Sequence, residues 1–237
     1  GATTASTSKF TTSRIGDASN YTDISTSGAV TYAGTARPNR SIVLTAAGAI
    51  AKTSAGGADV RRTDGTNFSY YTVNYDASTD EAASWLFVVP DSFAASSNIT
   101  VTVFWTAAAG TAAQLVDWEV STTGLTDDDI FATAALGTAT TINDALIATN
   151  DLHVTSAGTI ATANNGWAAG EMAVVKVNRD ADDAVNDTLA ADAKLLKVKI
   201  EWTVLELDEV LPTQDLGGLI FRECESQIAQ RLAQRLT

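Results

Sequence analysis

Two segments of the chain place an apolar residue at every second position, and this alternation constrains the fold more than any other feature. In the segment 196–204, one parity holds only apolar residues: Leu196, Val198, Ile200, Trp202 and Val204. In the segment 99–106, the residues Ile99, Val101, Val103 and Trp105 share one face, and Thr100, Thr102 and Thr106 share the other. Side chains of a strand point alternately to opposite faces, so both segments are predicted to be half-buried strands. A slip of one residue would bury the lysines of 196–204, so the register is well specified.

Shorter runs of the same kind predict further strands: Ser41–Leu44, Tyr71–Tyr75, Trp85–Val89, Val116–Val120, Leu152–Val154, Thr159–Thr162 and Ala173–Asn178. Trp85–Val89 is apolar throughout, which is typical of a strand covered on both sides. Turn signals separate the runs, and Phe131–Ala148 has room for one helical turn at most. The pattern predicts an all-β fold, an antiparallel β-sandwich of about eight to ten strands that is jelly-roll-like.

Composition divides the chain into three regions. Residues 1–40 are rich in Ser, Thr, Ala and Gly and predict an extended N-terminal arm, with one short strand near Ala29–Tyr32. Residues 41–205 carry the β-sandwich pattern. Residues 206–237 are richer in Leu, Ile, Gln and Arg and predict a C-terminal α-helix.

The predicted C-terminal helix carries an apolar stripe that needs a partner surface. We take its apolar residues as subunit-interface candidates: Leu216, Leu219, Ile220, Ile228, Leu232 and Leu236. The alternative is that the helix folds back onto its own sandwich. Cys224 lies within the stripe and is expected to be a small buried hydrophobe rather than a nucleophile.

Charge and composition exclude several classes of function. The 237 residues include 15 Lys and Arg against 28 Asp and Glu, a net charge of −13. Such an acidic protein repels phosphates, so neither nucleic acid nor an anionic membrane is an expected partner. One His and one Cys cannot supply the usual zinc ligands, and no phosphate-binding glycine loop is present. We therefore expect no enzyme, and no catalytic, cofactor-binding or metal-binding residue.

The residues whose side chains could catalyse a reaction or bind a ligand are mostly interpreted as structural. His153 is expected to be a polar residue at a strand end that makes one hydrogen bond, rather than a pH switch or general base. Asp127–Asp129 and Asp180–Asp183, with Asp187, lack the ligand spacing of an EF-hand. They are predicted to be solvated acidic loops, with weak calcium uptake as the alternative. Of the five tryptophans, we expect only Trp167, in an Asn-Gly turn, to be exposed and free to stack on a sugar.

Eight blocks stand out in the stretch from Arg40 to about Trp202: Arg40–Leu44, Asp76–Glu81, Val88–Ser92, Val101–Thr106, Trp118–Val120, Ala148–Val154, Arg179–Asp180 and Asp187–Glu201. In their order and spacing, these blocks resemble a family of tailed-phage and metagenomic virion-associated structural proteins. The last two blocks are the strongest. The arm before Arg37 and the tail after Val204 lie outside the resemblance.

The resemblance implies a jelly-roll-like virion component with no catalytic residues to carry over. The expected function is that of a structural bacteriophage protein, in the capsid surface, tail or fibre. It would act in the virion through self-association and contacts with other virion proteins. One alternative is a subunit of a cellular extracellular filament or surface layer, and a second is a carbohydrate-binding module or glycoside hydrolase. No sequence feature supports a host-surface glycan as a partner.

Overall fold

The structure is a computed structural model that describes residues 12–26, 28, 30–53, 56–204 and 206–207. Sixteen strands lie in this part of the chain: β1 (Thr12–Gly16), β2 (Tyr21–Ser25), β3 (Val30–Tyr32), β4 (Asn39–Thr45), β5 (Ile50–Ala51), β6 (Asp59–Asp64), β7 (Ser69–Tyr75), β8 (Glu81–Val88), β9 (Ile99–Ala107), β10 (Leu115–Leu125), β11 (Thr140–Ala145), β12 (His153–Val154), β13 (Gly158–Ile160), β14 (Met172–Arg179), β15 (Ala193–Thr203) and β16 (Glu206–Leu207). The helical elements described are α1 (Thr162–Asn165) and the 3-10 turns Gly34–Ala36, Ala46–Gly48 and Phe131–Thr133. No helix in the described ranges is long and apolar enough to cross a membrane.

Two antiparallel sheets face each other and confirm the predicted all-β, jelly-roll-like sandwich. One sheet has the order β11-β10-β14-β8-β5, and the other has the order β12-β9-β15-β7-β6, with β13 on β9 and β4 on β15. Strands that follow one another in sequence, such as β7 and β8 or β9 and β10, lie in opposite sheets. The two late strands complete both sheets, because β14 inserts between β8 and β10 and β15 between β7 and β9. This winding is the jelly-roll arrangement.

The alternating segments form β9 and β15, which are neighbours within the second sheet. In β9 every second residue, from Ile99 to Ala107, is fully buried, and the residues between them are only partly buried. From Val198 onward β15 buries its apolar parity in the same way, including Trp202. Burial of one face against the opposite sheet fixes the register of both strands.

The beginning of β15 departs from the predicted alternation. The pairing with β9 shifts between Leu195 and Lys197, which makes Leu196 the extra residue of a β-bulge. Leu195 is therefore fully buried, whereas Leu196 is only partly buried and points to the outer side. The prediction that Leu196 points inward was wrong, because the bulge reverses the parity of the residues before it.

The prediction for Trp167 was also wrong, because this side chain is buried. Gly166 adopts the left-handed conformation, with φ of 64°, and directs the chain back into the sandwich. The Trp167 ring packs edge-on against Phe87 and Phe93 at 5.2 and 5.7 Å between centroids. Its Nε1 donates to Thr122 Oγ1 at 2.6 Å. The sequence identified the Asn-Gly turn correctly, but the direction of the side chain depends on the space between the sheets.

Two other segments hold more strand than the sequence predicted. The N-terminal region, expected to be an extended arm with one strand, contains β1, β2 and β3 in a small antiparallel sheet that β16 completes. The segment Phe131–Ala148 has the expected single helical turn but then forms β11 at the edge of the first sheet.

Val88, expected to be covered, is exposed at the end of β8, although Trp85 and Val89 are buried. The predicted C-terminal helix lies outside the described residues.

Candidate functional site

Five aspartates from three separate segments meet at one end of the first sheet, and we call them the acidic cluster. They are Asp80, Asp117, Asp180, Asp182 and Asp183. Asp80 precedes β8, Asp117 lies on β10, and the other three follow β14. The register Trp118 opposite Arg179 brings the end of β14 beside Asp117, and the amide of Asp180 donates to the Asp117 carbonyl at 3.1 Å. The sequence singled out the 180–183 run, but Asp80 and Asp117 are residues that sequence reasoning missed.

The cluster contains two triplets of carboxylates that share Asp180. Carboxylate oxygens of Asp117, Asp180 and Asp183 lie within 4.8 Å of one another, and so do those of Asp80, Asp180 and Asp182. The first triplet is the more buried one, because Asp80 and Asp182 are exposed. Converging carboxylates at this spacing are suitable ligands for a hard cation.

Burial and mutual repulsion make two of these carboxyl groups hard to ionise. The pKa of Asp117 is raised to about 6, first by burial and then by the charges of Asp180 and Glu119. The pKa of Asp180 is also raised to about 6, by burial, by a hydrogen bond with Asp182 and by the charge of Asp80. Ionisation of these two carboxyl groups at neutral pH therefore destabilises the folded state.

Beneath the cluster lies a buried ion pair that fixes the loop after β14. Arg179 and Asp187 are almost fully buried, and the guanidinium donates to both carboxylate oxygens. Its remaining donors reach the carbonyls of Asp76, Leu189 and Ala191 at 3.1, 2.6 and 2.8 Å. Asp187 was grouped with the solvated acidic loop from sequence, but the structure places it in this ion pair.

The other predicted acidic run, Asp127–Asp129, lies apart from the cluster, and its hydrogen bonds stabilise a turn. Asp129 Oδ2 accepts hydrogen bonds from the amide and hydroxyl of Thr126, which lower the pKa of Asp129. Asp127 and Asp128 are exposed, as expected for a solvated loop.

His153 has the structural role expected from sequence. It begins β12 and is buried, and its Nε2 donates to the carbonyl of Ala148 at 3.0 Å. Its ring lies against that of Trp105, with centroids 4.6 Å apart. A histidine enclosed in this way is not presented to a substrate.

A second candidate region is an open groove of about 770 Å³ on the outer face of the second sheet. We call it the apolar groove, and its walls are formed mainly by Val43, Phe68, Tyr70, Phe104, Leu152 and Leu196. Polar side chains at its border include Thr106, Asn150, Asp151, Lys197 and Lys199. Phe68 is 73% exposed, and Val43 and Leu152 are also exposed.

The bulge in β15 explains where the groove lies. Before the bulge, β15 pairs with β7 over Ala193–Leu195, and after it with β4 over Lys197–Thr203. Because β9 occupies the other side of β15 throughout, β7 and β4 share one side and part from each other near Leu196. The groove lies in this region, with Tyr70 contributed by β7 and Val43 by β4.

No family model matches the chain, and no curated protein matches its sequence. Solved structures share a distant similarity. A xylan-binding domain of family 22 from Paenibacillus barcinonensis has a TM-score of 0.38 and 11% identity, covering 69% of this chain and 94% of that domain. A family 11 carbohydrate-binding module from Clostridium thermocellum, in complex with a mixed-linked tetrasaccharide, has a TM-score of 0.31 and 9% identity, covering 68% and 87%. A protein of unknown function from Shewanella oneidensis MR-1 has a TM-score of 0.31 and 11% identity, covering 70% and 87%. At these scores the similarity carries no argument about function.

Proposed function

We propose that this protein is a non-enzymatic structural subunit that self-associates through the apolar groove. The observation that carries the proposal is the exposure of Phe68, Val43 and Leu152 together on one outer sheet face. The outer face of an antiparallel sheet is normally polar, and a contiguous apolar patch marks an interaction surface. Full burial of each such side chain contributes about 1.5–3 kcal/mol, which is enough for a few of them to offset the cost of association.

The charge of the chain adds a testable property to this association. Each copy carries a net charge of −13, so two copies repel each other over long range. Added salt screens this repulsion but leaves apolar contacts in place. We therefore expect self-association to strengthen as the salt concentration rises.

Sedimentation velocity over a wide range of protein concentrations tests the proposal. The wild-type protein is expected to form larger species as its concentration rises, and the Phe68→Ser variant to remain smaller. The matched control is Phe131→Ser, because Phe131 is 57% exposed but lies outside the groove. A wild-type protein that stays monomeric at all concentrations contradicts the proposal, and so does equal dissociation of both variants.

We propose a bacteriophage virion as the setting of this subunit, on the sequence resemblance of Arg179–Asp180 and Asp187–Glu201 to virion-associated proteins. Negative-stain microscopy of the native material, with an antibody against this chain, is expected to label a phage particle. Labelling of a cellular filament or surface layer would favour the alternative setting. In either setting the chain acts by binding copies of itself.

Carbohydrate binding is a second candidate for the same groove. The ring centroid of the exposed Phe68 lies 5.8 Å from that of Tyr70, and the exposed polar residues Asn150 and Asp151 also line the groove. A sugar combines an apolar face with hydroxyl groups, so it would satisfy both features. Affinity electrophoresis in polysaccharide gels distinguishes the candidates: retardation of wild type and Phe131→Ser, but not of Phe68→Ser, favours the sugar.

A further inference from the structure

One carboxylate of the acidic cluster is buried without the partner that such a group requires. Asp117 is only 2% exposed, and its Oδ1 has no hydrogen-bond partner. A buried carboxylate oxygen normally accepts a hydrogen bond, pairs with a cation or binds a metal ion. Asp117 instead faces Asp180 and Asp183, whose carboxylate oxygens lie within 4.8 Å.

Among the described residues, no Lys, Arg or His side chain forms an ion pair with these three carboxylates. The ion pairs described in residues 12–204 involve Arg14, Arg61, Arg62, Arg179 and Lys199. Of these, Arg179 is the nearest in sequence, and its carboxylate partner is Asp187. Within the part of the chain that the structure describes, the carboxylates of Asp117, Asp180 and Asp183 therefore converge without a neutralising side chain.

The backbone already holds the cluster in place without an ion. Asp80 Oδ1 accepts from the amides of Ala181 and Asp182 at 2.9 and 3.3 Å. Asp183 Oδ1 accepts from the amide of Val185 at 2.9 Å, which fixes the next turn of the loop. The Arg179–Asp187 ion pair anchors the same loop from below. A ligand that binds here meets a preformed set of oxygens and has little loop ordering to overcome.

We propose that Asp117, Asp180 and Asp183 bind one calcium ion. The ligands are all carboxylate oxygens, which hard cations prefer, and the partly exposed site leaves room for water ligands. Calcium accepts such irregular sets of six to eight oxygens, whereas magnesium requires a near-ideal octahedron. This proposal departs from the sequence-based expectation of a solvated acidic loop, and the buried Asp117 is the reason.

The ion would join β10 to the loop after β14. Asp117 belongs to β10, whereas Asp180 and Asp183 belong to the loop that leads to β15. Binding to the folded state alone stabilises it in proportion to the logarithm of the calcium concentration. Calcium would thus stabilise this end of the sandwich.

Isothermal titration calorimetry with calcium chloride, on protein stripped with EDTA, tests the site. About 0.15 M NaCl limits diffuse binding, because the Debye length is then about 8 Å. We expect one calcium ion per chain and a dissociation constant that rises about tenfold or more in Asp117→Asn, since affinity depends on the number of charged ligands. The matched control Asp127→Asn removes the same charge from the other acidic loop and is expected to bind like wild type.

Circular dichroism verifies that each stripped variant is folded, and Asp180→Asn replaces Asp117→Asn if the latter is not. Calcium is expected to raise the melting temperature of wild type and Asp127→Asn but not of the cluster variants. Absence of stoichiometric calcium binding overturns the proposal, as does equal loss of affinity in Asp127→Asn. Tighter binding of magnesium than of calcium overturns the choice of ion.

Discussion

Arg179 and Asp187 form a bidentate ion pair inside the protein. The Nε and Nη2 atoms of the arginine lie 2.7 and 2.8 Å from the two carboxylate oxygens. The pair joins the end of β14 to the loop that leads to β15, and the arginine also reaches the carbonyl of Asp76 after β7. One buried guanidinium thus connects three segments. The acidic cluster lies beside this pair, since Asp187 Oδ2 also accepts a hydrogen bond from the amide of Asp117 at 3.2 Å.

Removal of one partner of this pair is expected to destabilise the fold strongly. Arg179→Met leaves the Asp187 carboxylate buried without its cation, and a change of this kind costs about 3–5 kcal/mol. Urea denaturation measures the free energy of unfolding. The double variant Arg179→Met, Asp187→Leu is expected to recover part of the loss, because no buried charge remains. A double variant less stable than either single one would contradict this account.

The bulge in β15 predicts opposite behaviour for two adjacent leucines. Leu195→Ala removes a fully buried side chain and is expected to cost about 2–5 kcal/mol. Leu196→Ala removes a side chain that lines the open groove and is expected to cost about 1 kcal/mol or less. Thermal or urea denaturation of the two variants provides the measurement. A larger loss for Leu196→Ala would restore the unbroken alternation and disprove the bulge.

The raised pKa of Asp117 predicts how the calcium-free protein responds to pH. Between the usual value of 3.8 and about 6, the folded state retains a proton that the unfolded state has released. Asp117 therefore lowers the stability as the pH rises through this range, and its full penalty is present at pH 7. Asp117→Asn in EDTA is expected to be more stable than wild type at neutral pH, and this gain is expected to shrink towards pH 3.8.

Asp127→Asn serves as the control for this measurement because Asp127 lies on the solvated loop. Its stability is expected to follow the wild-type pH dependence. Denaturant titrations at several pH values would give the comparison. An Asp117→Asn variant that gains no stability at neutral pH would show that the carboxylate carries no such penalty.

The interface candidates of the C-terminal segment remain a prediction, since residues 216–236 lie outside the described part of the chain. Deletion of residues 213–237 is expected to leave the β-type circular dichroism spectrum unchanged. The truncated protein is expected to sediment as a smaller species than the full-length protein. The five residues Phe68, Val43, Leu152, Tyr70 and Phe104 remain in the truncated protein, so residual association is assigned to the groove. Loss of the folded signal, in a protein that is monomeric at full length, would mean that this segment belongs to its own sandwich.

The sequence by itself determined the fold class and most of the central strands. The alternation in β9 and β15 is a local property of the chain, because each residue's parity sets its face once one face is buried. The placement of Trp105, Trp118 and Trp202 in the core followed from parity of this kind, and that of Trp85 followed from its continuous apolar run. The prediction that His153 is a strand-end residue that makes a hydrogen bond was also confirmed, whereas its burial was found only in the structure.

The tertiary structure determined those features that bring together segments distant in sequence. The acidic cluster combines Asp80, Asp117 and the 180–183 loop, and no local spacing relates these positions. Asp117 is outward-facing by parity, yet the loop after β14 covers it. The β15 bulge and the inward turn of Trp167 depend on the partner strand and on the space between the sheets. Local pattern predicts which face a side chain takes in a regular strand, but long-range packing determines where the strand bulges and what each face contacts.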